Sequence, residues 1–378
     1  MAEARIPETA DIGLAGVVAF TSKISAIMGT TLTYCGYAIE DLAENSTFEE
    51  TAYLLWHGEL PTESQLAEWR ATLGQNMQVP EELVKFLGQL PKNAAPMDVL
   101  RTSVALLQLW DADAADKSDA AFRRQSVRLL ASMGGIVTAW HRVRSGLPLI
   151  KPDPKKSIAA NFYYMLNGKD ADPRWVEVLD TALVLHADHT MNASTFSARV
   201  TVATQSDVYS AITSAVGTLK GPLHGGANEA VMRMLDKIGS MDKIEAWLKN
   251  ALEKKEKIMG FGHRIYKNGD PRAKILRELS KEVCGKVGKS HLFDMSVHLN
   301  EVMEGEKGLH PNVDFYSASL YHCLGIPTDL FTPVFAVSRI SGWLAHVMEQ
   351  KAANKLIRPE SLYVGKTDRK WTAVEKRG

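Results

Sequence analysis

Apolar residues recur at helical spacing through most of the chain, and this pattern predicts a structure built almost entirely from α-helices. Between residues 96 and 110, Val99, Leu100, Val104, Leu107 and Trp110 fall on one wide face of a helix. Similar patterns cover residues 180–189, 207–219, 271–279 and 312–324. Strict alternation of apolar and polar residues is rare, and the best candidate for short strands is the segment 24–37.

Turn-forming residues mark where some of these helices begin and end. Ser46, followed three residues later by Glu49, has the spacing of a capping box and predicts a helix start. Gly58 is expected to end this helix, and Pro61 prevents it from resuming. Glycine-rich turns at 221–226 and 260–269 interrupt the second half of the chain. At these turns a second domain is expected to join and the backbone to approach a ligand.

Length and composition are those of a globular enzyme without a nucleic-acid or membrane partner. The chain of 378 residues is long for one hydrophobic core, so two packed units are expected. Its 44 basic and 44 acidic residues balance, whereas a nucleic-acid-binding protein usually has a basic excess. No uncharged apolar run approaches about 18 residues, so no membrane span is expected. Three widely separated cysteines indicate reduced thiols and a cytoplasmic location.

Two histidine motifs are candidates for chemistry. His186 and His189 are three residues apart and share one face of a predicted helix. They are either ligands for a substrate or a metal, or a hydrogen-bonded pair within the helix. His224 lies among glycines just before another predicted helix, whose N-terminus disfavours an imidazolium ion. A neutral His224 is therefore expected to donate a hydrogen bond to a developing oxyanion, unless its ring only caps the helix.

A third cluster combines glycines, a histidine and an arginine. Asp270 is a suitable N-cap, which places Arg272 in the first turn of a helix beside free backbone N–H groups. Such a place suits a carboxylate or a phosphate. The preceding glycines around His263 fit neither the P-loop nor the dinucleotide-binding pattern, so both nucleotide fingerprints are rejected.

The fourth cluster contains a carboxylate. Asp314 is predicted to lie in the first turn of a helix capped by Asn312, where the helix dipole helps to keep it ionised. Acids are also common in first turns without any function. Together, however, an ionised carboxylate, neutral histidine donors and arginines form a set suited to enolisation. A base then removes a proton beside a carbonyl, donors stabilise the enolate oxygen, and arginines hold a polycarboxylate.

The sequence that carries these clusters resembles the citrate synthase family. Seven segments, found in the same order from about residue 13 to about residue 365, carry the resemblance: GLAGVVA, GYAIEDLAENSTFEETAYLLWHGELPT, LHADHTMNASTFSARV, GPLHGGANEAV, GFGHRIYKNGDPRAKIL, HPNVDFYSASLYHCLGIP and FAVSRISGWLAHVMEQ. The resemblance implies an all-α fold with a large helical domain, residues 1–221 and 326–378, and a smaller inserted domain, residues 222–325. It also implies condensation of acetyl-CoA with oxaloacetate and water to give citrate and free CoA.

The resemblance assigns three catalytic residues. His224 resembles the donor to the thioester carbonyl oxygen, His263 the residue that hydrogen-bonds and protonates the keto oxygen, and Asp314 the base that takes the methyl proton. No permanently bound cofactor and no metal are implied, since CoA arrives as a co-substrate. A homodimer is expected, because the chain lacks the additional N-terminal domain of the hexameric relatives.

Binding residues follow from the same motifs. The keto acid is expected to contact His189, Arg272 and Arg339, together with Arg358 from the other subunit, so that each active site is shared. CoA is expected to contact Gly260, Phe261, Gly262 and Lys267. The segment 21–37 departs from the family pattern, with Cys35 where an arginine is expected, which affects local packing or CoA contacts.

Three other functions compete with this interpretation. The nearest is 2-methylcitrate synthase, which uses propionyl-CoA; one methylene changes binding in an apolar pocket by only about 1–3 kcal/mol, so the sequence does not separate the two. A metal-dependent hydrolase would use His186, His189, His224 and His263, although the HEXXH motif is absent. A non-catalytic scaffold that binds CoA or carboxylates is the third.

Overall fold

In the computed structural model, which describes residues 13–14, 16–263, 265–266 and 269–377, the strands predicted near the N-terminus form a small antiparallel sheet. It consists of β1 (Ser25–Met28), β2 (Thr31–Tyr34) and β3 (Tyr37–Ala38). Ser25 pairs with Tyr34 across the first hairpin, and β3 pairs with the end of β2. The strand prediction for residues 24–37 is confirmed.

Helices make up most of the remaining described chain, which confirms the all-α prediction. Those of the first half are α1 (Ile39–Asn45), α2 (Phe48–His57), α3 (Glu63–Gln75), α4 (Glu81–Leu87), α5 (Pro96–Leu107), α6 (Asp119–Arg144), α7 (Ile158–Asn167) and α8 (Pro173–His186). Those of the second half are α9 (Ala193–Ala203), α10 (Val208–Leu219), α11 (Ala227–Ile238), α12 (Ile244–Glu253), α13 (Pro271–Lys286), α14 (Ser290–Lys307), α15 (Val313–Cys323) and α16 (Phe331–Ala352). No helix of the described chain is both long and apolar enough to span a membrane.

Helix α16 lies in the centre of the hydrophobic core. Every residue from Phe331 to Val347 is buried, and the helix packs against α2, α6, α8, α9 and α10. A helix that is enclosed on all sides must satisfy its polar side chains within the protein. The two basic side chains on this buried stretch, Arg339 and His346, therefore have partners from other elements: the carbonyl oxygen of His186 and the carboxylate of Asp188.

Two predicted helix boundaries are wrong by a few residues. The capping box before α2 is formed by Thr47 and Glu50, one residue later than predicted. Helix α8 ends at His186, so His189 lies in the turn that follows it and not on the same helical face. The next helix, α9, is capped by Asn192, whose side chain accepts from the backbone of Ser194. The chain between His186 and Asn192 is therefore a short, non-helical connection.

The chain divides into two units. Residues 22–355 form the larger one, and the terminal segments, 1–21 and 356–378, form the second. The predicted division at residues 221 and 326 falls within the larger unit and stays a prediction. In the terminal unit the described residues have little regular structure beyond one short 3₁₀ turn, Val374–Lys376. They expose several large apolar side chains: Val18, Leu356, Tyr363, Val364, Trp371 and Val374.

Candidate active site

One cavity in the larger unit brings together most of the predicted site residues. These residues come from five separate parts of the chain and line the same space: His189, His224, Gly260, Phe261, Gly262, His263, Arg272, Asp314 and Arg339. Arg358 belongs to the terminal unit, where its side chain is exposed. Lys267 lies outside the described residues. The roles predicted for these last two residues stay predictions.

The turn between α8 and α9 carries His189 into the cavity. Thr190, the next residue, has a left-handed backbone with φ of 50°. For a β-branched residue such a conformation costs about 1–3 kcal/mol and persists only where the surroundings enforce it. The backbone N–H of Thr190 donates to Ser25 Oγ at 3.0 Å and to Asp188 Oδ2 at 3.2 Å. These two bonds hold the strained turn.

The carboxylate of Asp188 is fully buried beside this turn. Its Oδ2 atom accepts hydrogen bonds from the Ser25 hydroxyl and, at 3.2 Å, from His346 Nε2. Burial disfavours the charge, but His346, Arg339 and Ser25 outweigh it and keep the pKa of Asp188 below its usual value. Asp188 is therefore an ionised anchor within the protein interior.

The hairpin β1–β2 holds the same turn through its second strand. The buried Tyr34 hydroxyl donates to the carbonyl oxygen of Asp188 at 2.9 Å and accepts from its backbone N–H at 3.1 Å. With Ser25, this places two residues of the divergent segment 21–37 directly behind His189. The sequence pattern does not indicate this role. The alternation that predicted the strands gave no indication of this partner.

His189 is neutral in this environment. Its Nε2 lies 3.3 Å from the Tyr266 hydroxyl, and its ring centroid lies 5.0 Å from that of His263. Burial, followed by the charges of Arg272 and Arg339, lowers the pKa of His189 well below its usual value. A neutral imidazole surrounded by cations can donate to or accept from a ligand without adding another positive charge.

Arg272 lies at the start of α13, as predicted. The carboxylate at this helix terminus, however, is the side chain of Asp270 and not that of a ligand. Asp270 caps the helix, accepts from the Arg272 backbone and holds the guanidinium by two bonds, from Nε at 2.9 Å and from Nη2 at 2.7 Å. Both side chains are at most 2% exposed. Among the described residues, Arg272 Nη1 has no acceptor. The pair thus orients the guanidinium and leaves one buried donor for a ligand.

Arg339 enters the cavity from the central helix α16. Its Nε donates to the carbonyl oxygen of His186 at 2.6 Å, and its guanidinium carbon lies 4.5 Å from the centroid of the Phe335 ring. Burial, with Arg272 nearby, lowers the pKa of Arg339 to about 10. The guanidinium remains charged at neutral pH. Two buried arginines that disfavour each other's charge form a site suited to a ligand with two carboxylates.

His224 faces the cavity from the turn before α11. Its Nε2 lies 2.7 Å from Ser194 Oγ and accepts from the Ser194 backbone N–H at 3.3 Å. This backbone bond places the imidazole proton on Nδ1, the other ring nitrogen. Burial, with Arg339 nearby, lowers the pKa of His224 to about 4. The neutral His224 expected from the sequence is supported, with burial as the largest cause and the charge of Arg339 as the second.

The turn Gly260–His263 presents its histidine as a donor. His263 Nδ1 accepts from the backbone N–H groups of Ile265 at 3.1 Å and Tyr266 at 3.2 Å, so in the neutral ring the proton is on Nε2. Gly260 has φ of 84°, and a Cβ atom there would lie 2.7 Å from a methyl carbon of Val231. Only glycine allows this turn to pack so closely against α11.

Asp314 differs from expectation in its electrostatics. It lies in the first turn of α15, and Asn312 caps that helix as predicted. Burial, against the opposing charge of Arg272, raises the pKa of Asp314 to about 7. The expectation that the helix dipole helps to keep Asp314 ionised did not account for its removal from water, which is the largest influence on its pKa. A carboxyl group that titrates near neutrality is well matched to proton transfer.

His186 is separate from this group. Its ring is fully buried behind the cavity, with Nδ1 2.7 Å from the carbonyl oxygen of Ala182. Of the two alternatives, a ligand for a substrate or metal and a hydrogen-bonded histidine within a helix, His186 is the second. It does not line the cavity. In the described parts of the chain, no three His, Cys, Asp or Glu side chains are grouped closely enough to hold a metal ion.

Comparisons with known proteins extend over nearly the whole chain. A family profile for the C-terminal domain of citrate synthase matches residues 13–360. Citrate synthase 2 of Bacillus subtilis is 52% identical over 370 residues, which cover 98% of this chain and 100% of that protein. The 2-methylcitrate synthase 2 of Corynebacterium glutamicum is 43% identical over 97% of each chain.

A solved structure agrees with these sequence matches. The citrate synthase of Thermoplasma acidophilum, in ternary complex with carboxymethyl coenzyme A and oxaloacetate, has a TM-score of 0.91 and 33% identity. The likeness covers 97% of this chain and 99% of that one. The profile match includes every predicted residue that lines the cavity, and the resemblance of the seven sequence segments is confirmed. The chain belongs to the citrate synthase family.

Proposed function

We propose that this protein is a citrate synthase, an acyltransferase that condenses acetyl-CoA with oxaloacetate and water to give citrate and free CoA. The observation that carries the proposal is the cavity in which Asp314 shares a lining with two histidines and two arginines. Proton abstraction next to a thioester needs a base of moderate pKa and a donor for the enolate oxygen. The comparisons point to the same reaction.

In the proposed mechanism, Asp314 removes a proton from the methyl group of acetyl-CoA. His224, with its proton on Nδ1, donates to the thioester oxygen and stabilises the enolate. The enolate carbon attacks the ketone of oxaloacetate, and His263 donates to the keto oxygen from Nε2. Water then cleaves the citryl thioester. These roles are supported by the ring-nitrogen partners of both histidines and by the raised pKa of Asp314.

Oxaloacetate would bind between the buried guanidinium groups of Arg272 and Arg339 and the ring of His189. CoA would contact the turn Gly260–Gly262 and Lys267, and no permanently bound cofactor or metal is required for this chemistry. We retain the proposal of a smaller domain, residues 222–325, which carries the catalytic residues and the CoA contacts. Binding of oxaloacetate would close it on the larger domain and exclude water from the enolate.

The direct test is release of free thiol on mixing purified protein with oxaloacetate and acetyl-CoA, without added metal. We expect thiol release that depends on both substrates. The same assay with propionyl-CoA decides between citrate synthase and 2-methylcitrate synthase activity. The second activity is an alternative because the similar Corynebacterium protein is a 2-methylcitrate synthase. A folded sample that releases no thiol from either acyl-CoA would contradict the whole assignment.

We further propose a cytoplasmic homodimer whose active sites are shared. The exposed apolar side chains of the terminal unit, such as Trp371 at 82% and Val364 at 75% exposure, support a partner surface. Arg358 belongs to that unit, and by resemblance it reaches the keto acid of the other subunit. The cytoplasmic location is supported by the three cysteines, which are free thiols.

Subunit mixing tests the shared site. An Arg358→Ala subunit and an Asp314→Asn subunit are each expected to be almost inactive as homodimers. In a mixed dimer, one site combines an intact Asp314 with an intact Arg358, so activity should reappear. Thiol release is measured after the two variants, carrying different tags, exchange subunits. If tag co-purification proves exchange and activity does not return, Arg358 does not act across the dimer.

A further inference from the structure

A chain of polar side chains connects the central helix α16 to the turn that carries His189. It begins at Glu349, which accepts from Arg199 Nη1 at 2.6 Å. Arg199 Nη1 also lies 3.1 Å from His346 Nδ1, and His346 Nε2 lies 3.2 Å from Asp188 Oδ2. Arg199, His346 and Asp188 are at most 3% exposed. None of these four side chains lines the cavity.

The chemistry of the chain fixes the direction of its hydrogen bonds. A guanidinium can only donate, so His346 Nδ1 must accept from Arg199. The imidazole proton is then on Nε2, and that nitrogen donates to the Asp188 carboxylate. Arg199 thus selects the tautomer of His346 that can bind Asp188.

The acceptor at the end of this chain controls the geometry around His189. Asp188 Oδ2, which accepts from His346, also accepts from the Thr190 N–H on the other side of His189. Helix α16 approaches the turn directly as well: the Gly342 N–H donates to Ala187, and a Cβ atom at Gly342 would lie 2.4 Å from Asp188 Oδ1. The left-handed Thr190 is therefore held from α16 and not only from the hairpin.

We propose that His346 is a positioning residue for the keto acid: through Asp188 it holds the turn that orients His189 in the cavity. The inference rests on the proposed function, because the keto acid is the substrate of that function. His346 itself does not touch the substrate. Its effect on catalysis is exerted through the position of the His189 ring, and displacement of a binding group by about 1 Å can cost on the order of 100-fold.

A purely structural role for His346 would have a different signature. Loss of buried hydrogen bonds alone lowers the melting temperature and the fraction of active enzyme, which reduces apparent kcat and leaves KM unchanged. Loss of positioning raises KM and Kd for oxaloacetate. It changes KM for acetyl-CoA less, because the histidine donor for the thioester, His224, is bonded to Ser194 and not to Asp188.

The experiment compares three variants in the thiol-release assay, with oxaloacetate binding measured by calorimetry. In His346→Phe the donor to Asp188 is lost, and we expect KM and Kd for oxaloacetate to rise about 10- to 100-fold. His346→Gln places an amide N–H near the Nε2 position and should restore most of the affinity. Asn161→Leu is the matched control: it removes buried hydrogen bonds of α7 to the backbone of Asp153 and Lys156, away from the cavity. It should lower the melting temperature and leave KM unchanged.

Each outcome supports or overturns the inference. Unchanged oxaloacetate affinity in folded His346→Phe overturns it, as does an equal rise in KM in the Asn161→Leu control. If His346→Phe does not fold, Ser25→Ala removes another donor to the same Asp188 oxygen, and weaker oxaloacetate binding is again expected. An unchanged Kd in that variant overturns the inference. Wild-type protein that neither binds oxaloacetate nor releases thiol would instead refute the proposed function.

Discussion

Replacement of Asp314 by asparagine is expected to lower kcat by about 10²- to 10⁴-fold, the range typical of general base catalysis. The amide keeps the size of the side chain but cannot accept the methyl proton. Oxaloacetate binding should change little, because the arginines that would hold it are unaltered. The measurement is steady-state thiol release together with calorimetric titration of oxaloacetate. Asp98, also an acid in a first helical turn, provides the matched control Asp98→Asn, which should keep wild-type kcat.

The pH dependence of wild-type activity provides a second test of whether Asp314 acts as the base. Only ionised Asp314 can act as a base, and burial raises the pKa of this group to about 7. Therefore kcat/KM should rise as pH increases through about 7 and level off above it, since that ratio reports ionisations of the free enzyme. The Asp314→Asn variant should lack this limb. If Asp314→Asn keeps a kcat near that of the wild type, or shows the same rise in kcat/KM with pH, Asp314 is an ordinary first-turn acid and not the base.

Replacement of His224 by alanine is expected to lower kcat by about 10²- to 10³-fold, the usual effect of removing one oxyanion donor. The donor is the N–H at Nδ1, because Ser194 donates its backbone N–H to Nε2. Burial lowers the pKa of His224 to about 4, so its ring stays neutral across the working pH range. Activity should therefore show no loss from protonation of His224 between about pH 5 and 8.

The matched variant for this position is His224→Asn. An asparagine amide nitrogen can occupy roughly the place of Nδ1, so this variant should retain a donor and lose less activity than His224→Ala. Both variants should bind oxaloacetate as the wild type does, which calorimetry checks. Equal losses in the two variants, or a loss confined to oxaloacetate affinity, would contradict the assignment of His224 as the donor to the enolate.

The sequence was sufficient for the helical fold, which depends on local patterns, and the family resemblance selected most of the residues that line the cavity. The N-caps at Asp270 and Asn312 could be predicted, and with them the first-turn positions of Arg272 and Asp314. The pKa of Asp314 could not be predicted in this way. A helix terminus is visible in a few residues of sequence, whereas burial depends on how distant segments pack around the carboxyl group.

The connection between α8 and α9 was missed for a similar reason. Apolar spacing continues through Leu185 to Ala187 without glycine or proline, so the pattern gave no sign that the helix ends at His186. The end is enforced by the contacts that Asp188 makes with Ser25, Tyr34 and His346, all more than 150 residues away in the chain. The segment 21–37 departs from the family pattern and yet supplies two of these contacts.

The anchoring of Asp188 also determines when, during protein synthesis, the part of the site proposed to bind the keto acid can be completed. Asp188 follows Ser25 by 163 residues and precedes His346 by 158. At a synthesis rate of about 5–20 residues per second, roughly 15–65 s separate the emergence of the first strand from that of its last partner. Until α16 leaves the ribosome, the Asp188 carboxylate of the nascent chain lacks the hydrogen bond from His346 that it has when buried in the folded protein. A chain released before that point would lack both Arg339 and the anchor of His189.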